Sequence, residues 1–465
     1  MDIYTLQNRW QPEGKYLVYY GLRRKENLFC NRVRLNRAKR QIIARLPCPL
    51  SPKEQKTLGA LIGVQVVKES ERRTTPKTLQ EAHFCRTCVA NDFIIPGLEL
   101  DENGQCPMCA TARDAEKLKS ILPLYENFPR AKHSRFDVAV FYTGGKDSTY
   151  LLYYLAKVKK LRVLAMTWEI PYMSALAKTS IENAKKCFDT VEFVTRAVSH
   201  ADLRRFYRAL YERAGNTCAC PSLAYLLFYP TLVAERVPCF VAGNEPVQVL
   251  GLYYNHMAPK LAYSFPRNTF LHVLYNVGRV LTLRPPLKGG QIQSLLTMRQ
   301  LAFGNPLVKL SGYENELLAN VTAAIQEVPE FLPPLRRSVR ASSRTGRVPA
   351  FVHVDLDKIS GGKYDWNRVK DLLVRECGWV APEESAKALH TSCSIERCKD
   401  HSQFLRFYRC QSKTIPFSAI EISLASRNCG RSREETIREL ETALGFTLEE
   451  LPECRTMCAY LEEPQ

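Results

Sequence analysis

The chain has 465 residues and a formal net charge of +19, with 45% hydrophobic and 24% charged residues. The length exceeds one ordinary core and predicts two or three domains, and the composition excludes a disordered chain. The sequence contains no run of about 18 apolar residues, so no membrane span is predicted.

The charge and the cysteines narrow the class of protein further. A basic chain of this kind is either an ordinary basic enzyme or one with a polyanionic partner, such as tRNA or a phosphate-rich nucleotide sugar. No basic segment followed by an apolar core opens the sequence, so no secretory signal is predicted and a cytoplasmic location is expected. The 17 cysteines therefore indicate metal ligation or catalysis rather than a disulfide framework.

Residues 1–80 are predicted to form a small α+β domain without recognisable chemistry. The run Tyr16–Tyr20 favours a strand, and residues 27–46 favour further strands with alternating arginines. Ser51, followed by Pro52 and Glu54, predicts a capped helix start, and Val64–Val67 predicts another strand. Residues 70–80 are polar and basic, as expected of a linker.

Residues 83–112 carry two pairs of cysteines with C-x2-C spacing. Each pair places two thiolates on one turn, and two such turns suit tetrahedral zinc, so we predict a structural zinc ribbon. Residues 98–104 would supply a strand and turn between the pairs, and 113–128 a following helix. An iron–sulfur cluster and free thiols are the alternatives. The predicted Zn²⁺ ligands are Cys85, Cys88, Cys106 and Cys109.

From Asp137 onward, short apolar runs alternate with helical periodicity. Strands are predicted at 138–142, 162–167, 191–194 and 237–242, and helices at 148–159 and 174–186. This alternation predicts an α/β fold with a parallel, doubly wound sheet, spanning residues 130–325. Residues 325–347 are rich in proline, serine and arginine and are predicted as a linker. Residues 348–465 are predicted to be a mainly helical domain, with helices at 366–376 and 432–444.

A glycine pair between the first strand and the first helix of this fold predicts a phosphate site. Glycines allow the backbone to approach phosphate oxygens, and N–H groups at the helix start attract anions. Lys146 adds positive charge, Ser148 can donate its hydroxyl, and Asp147 can hold Mg²⁺. The spacing is not that of the Walker loop; an ordinary strand-to-helix turn is the alternative. The predicted loop is Thr143-Gly144-Gly145-Lys146-Asp147-Ser148.

This loop resembles the S-G-G-x-D-S signature of the PP-loop ATP pyrophosphatases, with Thr143 in place of the first serine. The resemblance implies a HUP-like sheet and transfer of AMP from ATP, with release of pyrophosphate. It also implies that adenine lies near Met166, Thr167 and Trp168, at the end of the second strand. Lys146→Ala is predicted to remove activity while leaving the fold intact.

Cysteines outside the zinc ribbon are candidates for chemistry or for packing. Cys218 and Cys220 precede a helix start, which would lower a thiol pKa, and they are candidate catalytic residues or cluster ligands. Residues 390–400 contain Cys393 and Cys398 among polar side chains and could line an acceptor pocket or bind metal. The C-x3-C pair Cys454 and Cys458 fits one helix face and favours a structural role.

The order of these parts resembles the N-acetyl sugar amidotransferases of bacterial surface polysaccharides. The similarity runs from about residue 84 to 450. The motifs that carry it are both cysteine pairs, the phosphate loop with Thr149 and Tyr150, Thr167-Trp168, Cys218-x-Cys220 and the helix that begins at Ser432. The family converts an N-acetyl group to an acetamidino group with ammonia from a separate glutaminase, so such a partner is implied. Residues 1–80 and the cysteine-rich C-terminal part depart from the family pattern.

Three functional hypotheses follow. The first is an AMP-forming amidotransferase acting on a sugar or another small acceptor. The second is a sulfurtransferase for tRNA or a small molecule, with Cys218, Cys220 or Cys393 as persulfide carriers or with an iron–sulfur cluster. The third is a nucleic-acid-binding zinc protein with an inactive ATP fold, against which the intact phosphate loop argues.

Overall fold

The computed structural model describes residues 2–25, 28–29, 31–111, 127–215, 220–242, 246–255, 269–304, 316–382 and 392–462. Within these ranges no helix has both the length and the apolar composition needed to cross a bilayer.

The N-terminal part is a small α+β unit with its own core. Two three-stranded antiparallel sheets, of order β7-β1-β8 and β2-β3-β6, enclose side chains such as Trp10 and Leu58, and β4 pairs with β5 in a separate hairpin. The strands are β1 (Ile3–Leu6), β2 (Trp10–Glu13), β3 (Tyr16–Tyr19), β4 (Arg24–Lys25), β5 (Leu28–Phe29), β6 (Arg32–Arg34), β7 (Cys48–Pro49) and β8 (Val66–Lys68), and the helices are α1 (Arg37–Ile43) and α2 (Pro52–Leu58).

Two local predictions in this unit have different outcomes. The capped start of α2 is confirmed, since Ser51 and Glu54 form a reciprocal capping box. The prediction of strands through residue 46 is wrong after β6. There Asn36 caps α1 by accepting a hydrogen bond from Lys39 N at 2.9 Å, and the helix buries Ile42 and Ile43.

The segment with the paired cysteines is mostly loop. A short helix, α3 (Pro107–Ala110), begins directly after Cys106 and contains Cys109. The predicted turn before that pair is present, because Asp101 Oδ1 accepts hydrogen bonds from Asn103 N and Gln105 N at 2.9 and 2.8 Å. The predicted strand at 98–104 is wrong, since Leu98 makes only a single bridge, to Leu22. Most of the helix predicted at 113–128 lies outside the described residues.

A five-stranded parallel sheet organises the rest of the chain, in the order β11-β10-β9-β12-β13. Numbered along the sheet this is 3-2-1-4-5, the order of doubly wound, HUP-like folds, so the predicted α/β fold class is confirmed. The strands are β9 (Val138–Phe141), β10 (Val163–Trp168), β11 (Val191–Arg196), β12 (Cys239–Ala242) and β13 (Ala350–Val352).

Helices cover both faces of this sheet. Val138 and Val140 belong to one buried cluster, whereas Ala139 and Phe141 belong to another, as the two-residue period of a strand requires. The helices are α4 (Lys146–Tyr153), α5 (Ala175–Cys187), α6 (His200–Ala214), α7 (Cys220–Ala234), α8 (Pro246–Tyr254), α9 (Thr269–Leu281), α10 (Gly289–Phe303), α11 (Glu316–Gln326) and α12 (Leu332–Thr345).

The linker predicted at 325–347 is wrong, because α12 occupies most of it. Leu332, Leu335 and Val339 are buried on one side of this helix while its arginines face outward. Two prolines lie in the first turn, where a missing N–H removes no helical hydrogen bond. The chain then enters β13, which pairs with β12 and so joins the sheet.

The remaining helices lie after β13 and pack on the β9 loop and the cysteine pairs. Both helices predicted here, at 366–376 and 432–444, are present. The set is α13 (Leu356–Ile359), α14 (Trp366–Cys377), α15 (Glu396–Tyr408), α16 (Phe417–Asn428), α17 (Arg433–Thr442) and α18 (Pro452–Glu462).

Candidate functional site: phosphate loop and cysteine cluster

The glycine loop follows β9, beside the point where the strand order reverses. In open α/β sheets ligands bind at the carboxyl ends of strands at this switch point. Gly144 has φ +71°, and a Cβ there would lie 2.5 Å from Ala177 O, so only glycine fits. Gly145 caps α4 and no side chain caps this helix start. A helix start without a side-chain cap suits an anionic ligand, because the helix dipole and the first N–H groups point toward it.

Hydroxyl groups hold the loop in this shape. Thr143 Oγ1 lies 3.1 Å from Ser148 Oγ, which also accepts a hydrogen bond from Thr143 N at 3.2 Å. Ser148 Oγ in turn donates to Gly145 O at 3.1 Å. The two hydroxyl groups predicted to bind phosphate therefore also form the hydrogen bonds that fix the shape of the loop.

Lys146 and Asp147 contact residues from the C-terminal part. Lys146 is only 3% exposed, and its Nζ lies 4.8 Å from the ring centroid of Tyr364 and 4.7 Å from that of Trp366. It also pairs with Asp147, whose Oδ1 accepts a hydrogen bond from Tyr364 OH at 2.6 Å. The Lys146 charge is stabilised by aromatic faces and a carboxylate rather than by water.

Sequence reasoning missed the residues that complete this site, because they lie over 200 positions away from the loop. Trp379 Nε1 donates to Gly144 O at 2.9 Å and so clamps the loop. Burial, and then the charges of Arg431 and Lys146, hold the pKa of Lys370 below its ordinary range. Lys146 Nζ and the guanidinium carbon of Arg431 lie 4.7 and 5.7 Å from the centroid of the Trp366 ring, so these two cations are neighbours. Arg431 is also paired with Glu439, at 2.6 Å.

The residues predicted to lie near adenine are at the carboxyl end of β10. Thr167 is buried, and its hydroxyl donates to Tyr142 O at 2.9 Å. Trp168 is also buried, and its Nε1 has no hydrogen-bond partner among the described residues. Met166 lies within the core. The structure therefore places Thr167 and Trp168 one strand away from the phosphate loop, and Trp168 offers a donor that nothing described satisfies.

The cysteines predicted for catalysis are described only in part. Cys218 lies outside the described residues, and Cys220 opens α7, although its side chain is not among those described. Cys393 makes an isolated antiparallel bridge with Met173, just after β10. The backbone at Cys393 therefore lies near the carboxyl edge of the sheet, and its thiol forms no disulfide.

The paired cysteines converge on one point. Their four sulfur atoms all lie within 4.8 Å of one another, and Cys88 Sγ and Cys106 Sγ are 3.7 Å apart. Tetrahedral zinc with Zn–S bonds of about 2.3 Å separates its sulfurs by about 3.8 Å. Among the described residues this is the one cluster of at least three potential metal ligands, and it consists of Cys85, Cys88, Cys106 and Cys109.

Backbone groups support these sulfurs as they do in metal knuckles. Thr87 N and Cys106 N donate to Cys85 Sγ at 3.4 and 3.3 Å. Hydrogen bonds among the thiols lower the pKa of Cys85 and raise that of Cys88. Four thiolates this close would repel one another, and a cation between them would offset that repulsion. Arg433 donates to the backbone oxygens of Cys85 and Cys88 at 3.0 and 2.5 Å, joining the first knuckle to α17.

A second set of cysteines meets where α6, α15 and α18 pack. Cys398 and Cys454 are buried, and a hydrogen bond between their thiols, followed by burial, raises the pKa of Cys398. Cys458 Sγ lies 3.6 Å from Tyr211 OH. These contacts belong to helix packing, which agrees with the structural role favoured from the sequence.

No protein-family profile matches this chain, and a search of curated proteins found no relative. Among solved structures, the chain is similar to U34-tRNA thiolase NcsA from Methanococcus maripaludis, determined with its 4Fe-4S cluster. The match has 13% sequence identity, covers 56% of this chain and 86% of the thiolase, and has a TM-score of 0.21. A likeness this weak says nothing about the substrate, the cluster or the reaction of the present chain.

Proposed function

We propose that this protein binds ATP at the loop Thr143–Ser148 and transfers AMP to an acceptor, with release of pyrophosphate. The observation that carries the proposal is the Gly144 backbone, whose conformation excludes a side chain, next to a helix start that no side chain caps. This combination suits phosphate oxygens, which bind main-chain N–H groups at close range.

The charges around the loop fit a polyphosphate. Lys146, Lys370 and Arg431 supply positive charge from behind the loop. Asp147, whose side chain is 21% exposed, is a hard oxygen ligand at the helix start and would hold Mg²⁺. Bound Mg²⁺ would neutralise charge on the phosphates.

For the acceptor, we propose the N-acetyl group of a sugar or nucleotide sugar. Its carbonyl oxygen would attack the α-phosphorus of ATP, and pyrophosphate would leave with the electrons of the broken phosphorus–oxygen bond. Ammonia from a partner glutaminase would then attack the carbonyl carbon, AMP would leave, and loss of a proton would give the amidine. The motif order resembling the amidotransferases supports this acceptor.

Sulfur transfer by the same adenylation is the second candidate. The observation that favours it is the position of Cys393 beside Met173, on the ligand-binding side of the sheet. In that reaction one cysteine would take a sulfane sulfur from a persulfide donor, and its persulfide would attack the adenylated carbon and displace AMP. A second cysteine would then attack the cysteine sulfur of the resulting acceptor–S–S–Cys link, which releases the thiolated acceptor and leaves a disulfide for an external thiol to reduce. The cysteines proposed for these steps are Cys393, Cys218 and Cys220, and tRNA is one class of acceptor.

The four-cysteine cluster is proposed to hold a single Zn²⁺ in a structural role. Sulfurs within 4.8 Å of one another suit one tetrahedral ion, whereas a four-iron cluster spreads its cysteine ligands around a larger body. With four thiolates no coordination position is left for a substrate. The ion would fix the knuckles against α17 and the C-terminal residues behind the phosphate loop.

The test is to incubate the full chain with Mg-ATP, N-acetyl sugar acceptors and either ammonium or sulfide, and to identify nucleotide products by mass. AMP and pyrophosphate are expected, and ADP with phosphate would overturn the adenylation mechanism. Asp147→Asn should abolish turnover, whereas Asp189→Asn at an exposed turn should not. Lys146→Ala is a poorer probe, because it also removes buried packing.

The dependence of turnover on the added nitrogen or sulfur donor distinguishes amidation from thiolation. Turnover with ammonium that survives Cys393→Ser supports amidation. Turnover that requires a persulfide donor and is lost in Cys393→Ser supports thiolation through a cysteine persulfide, whereas turnover with sulfide that survives Cys393→Ser supports direct thiolation by sulfide.

A further inference from the structure

Helix α9 exposes its apolar side and buries its polar side. Phe270, Leu274 and Leu281 are 72%, 57% and 79% exposed, and Leu283 just beyond the helix is 94% exposed. Val273, Val277 and Val280 are also about half exposed and continue the same stripe, at three- and four-residue spacing. An apolar patch of this extent on a protein surface marks a contact with another body.

The buried side of α9 shows that this orientation is fixed. Arg279 is only 5% exposed, and its guanidinium donates to Pro285 O at 2.7 Å and to Ser343 O at 2.8 Å. Asn276 exchanges hydrogen bonds with the backbone of Leu287 at 2.9 and 2.8 Å. These four bonds hold the polar side against the protein, so the apolar stripe cannot turn inward without breaking them.

The surroundings of the stripe are positively charged. Residues 269–304 contain four lysines and arginines and no aspartate or glutamate. Helix α12, which the Arg279–Ser343 bond joins to α9, also lacks acidic residues. Exposed cations follow α9 at Arg284 and Lys288. Gly346 lies against Pro285, which brings the end of α12, with the exposed Arg344 and Arg347, close to the same segment. Arg340 is also exposed on α12, over the Phe303 ring.

We propose that this face, formed by the apolar stripe of α9 and these flanking cations, binds the surface of an anionic lipid bilayer. Apolar side chains would enter the boundary between headgroups and acyl chains, while the arginines and the lysine would pair with anionic headgroups. The protein would lie on the membrane, because no described helix can span it.

A second copy of the chain fits this face less well than a bilayer. Seven exposed large side chains could supply much of the roughly 800 Å² per partner that a stable interface buries. A two-fold interface, however, would bring the same arginines of both copies together without a carboxylate from this region to pair with them. An anionic surface satisfies both the apolar and the charged parts of the face.

The test is co-sedimentation of the full chain with vesicles of mixed phosphatidylglycerol and phosphatidylcholine, and with vesicles of phosphatidylcholine alone. Binding is expected to the anionic vesicles, to fall several-fold in high salt, and to be much weaker on the neutral vesicles. The double variant Leu281→Gln with Leu283→Gln should weaken binding by about tenfold or more. Val64→Gln, at another exposed apolar position, should not.

Charge reversal provides an independent arm that leaves the apolar stripe intact. Arg284→Glu with Arg344→Glu should also reduce binding by about tenfold or more, whereas Arg72→Glu, an exposed arginine of the N-terminal unit, should not. Circular dichroism should show native helix content in all variants.

Three results would overturn the proposal. They are the absence of binding to anionic vesicles, binding that neither pair of substitutions weakens, and a dimer in light scattering that the leucine substitutions dissociate while no vesicle binding is seen.

Discussion

The replacement Gly144→Ala tests the geometry of the phosphate loop most directly. Gly144 has φ +71°, a conformation that costs a residue with a Cβ about 1–2 kcal/mol. The added Cβ would also lie 2.5 Å from Ala177 O and 3.0 Å from Ile181 Cγ1, whereas such atoms normally stay about 3.5 Å apart. Ala177 O belongs to the first turn of α5, so the loop or this helix must move by about 1 Å.

A second glycine with positive φ separates the cost of the backbone conformation from the cost of the steric clash. Gly304 has φ +60° at the end of α10, and a Cβ there would meet nothing within 4 Å. We therefore expect Gly304→Ala to lower the free energy of unfolding by about 1 kcal/mol and Gly144→Ala by about 3 kcal/mol. Urea unfolding followed by tryptophan fluorescence measures both changes.

The same pair of variants tests ligand binding. Displacement of the loop should weaken ATP binding in calorimetry by more than tenfold in Gly144→Ala, and should leave it unchanged in Gly304→Ala. Equal losses of stability in the two variants, together with unchanged ATP affinity, would refute both the loop conformation and its role.

Three further outcomes are expected. Arg433→Ala removes two hydrogen bonds to the first knuckle and should lower metal affinity about tenfold or more in a chelator competition, while Arg438→Ala, exposed on the same helix, should have no effect. Tyr364→Phe removes the hydrogen-bond donor to Asp147 Oδ1. It should reduce turnover of Mg-ATP several-fold and lower the free energy of unfolding by about 1 kcal/mol. An unchanged rate would show that the Asp147 carboxylate does not need Tyr364 to orient it. Because the pKa of Lys370 is lowered, its charge is lost as the pH rises above that pKa; ATP binding should weaken on the alkaline side, and Lys370→Arg should abolish that weakening in a pH series.

The local signals in the sequence predicted most of the central sheet. The strands β9 and β10 are buried at every position and almost wholly apolar, because helices cover both faces of a parallel sheet. Capping residues also predicted helix starts well, as Ser51 and Ser432 show. These features depend on neighbours within a few residues, which a sequence displays directly.

The linker prediction at 325–347 failed because the polar composition of the segment masked the helical spacing of its apolar residues. The segment containing α12 looked like a linker because arginine, serine and proline dominate it, but three buried aliphatic side chains at helical spacing were enough to fold it against the core. At 98–104 the apolar residues suggested a strand that does not form. These residues pack in a loop that the cysteine pairs hold in place.

The sequence by itself determined four of the five strands of the sheet, the phosphate loop and the paired cysteines, because each is specified by residues at short spacing. Only the tertiary structure decided what surrounds them. Tyr364, Lys370 and Trp379 reach the loop because β13 joins the sheet and folds the following helices onto it. The exposed apolar side of α9 was equally invisible, since hydrophobic periodicity shows that a helix has two faces but not which one the rest of the protein covers.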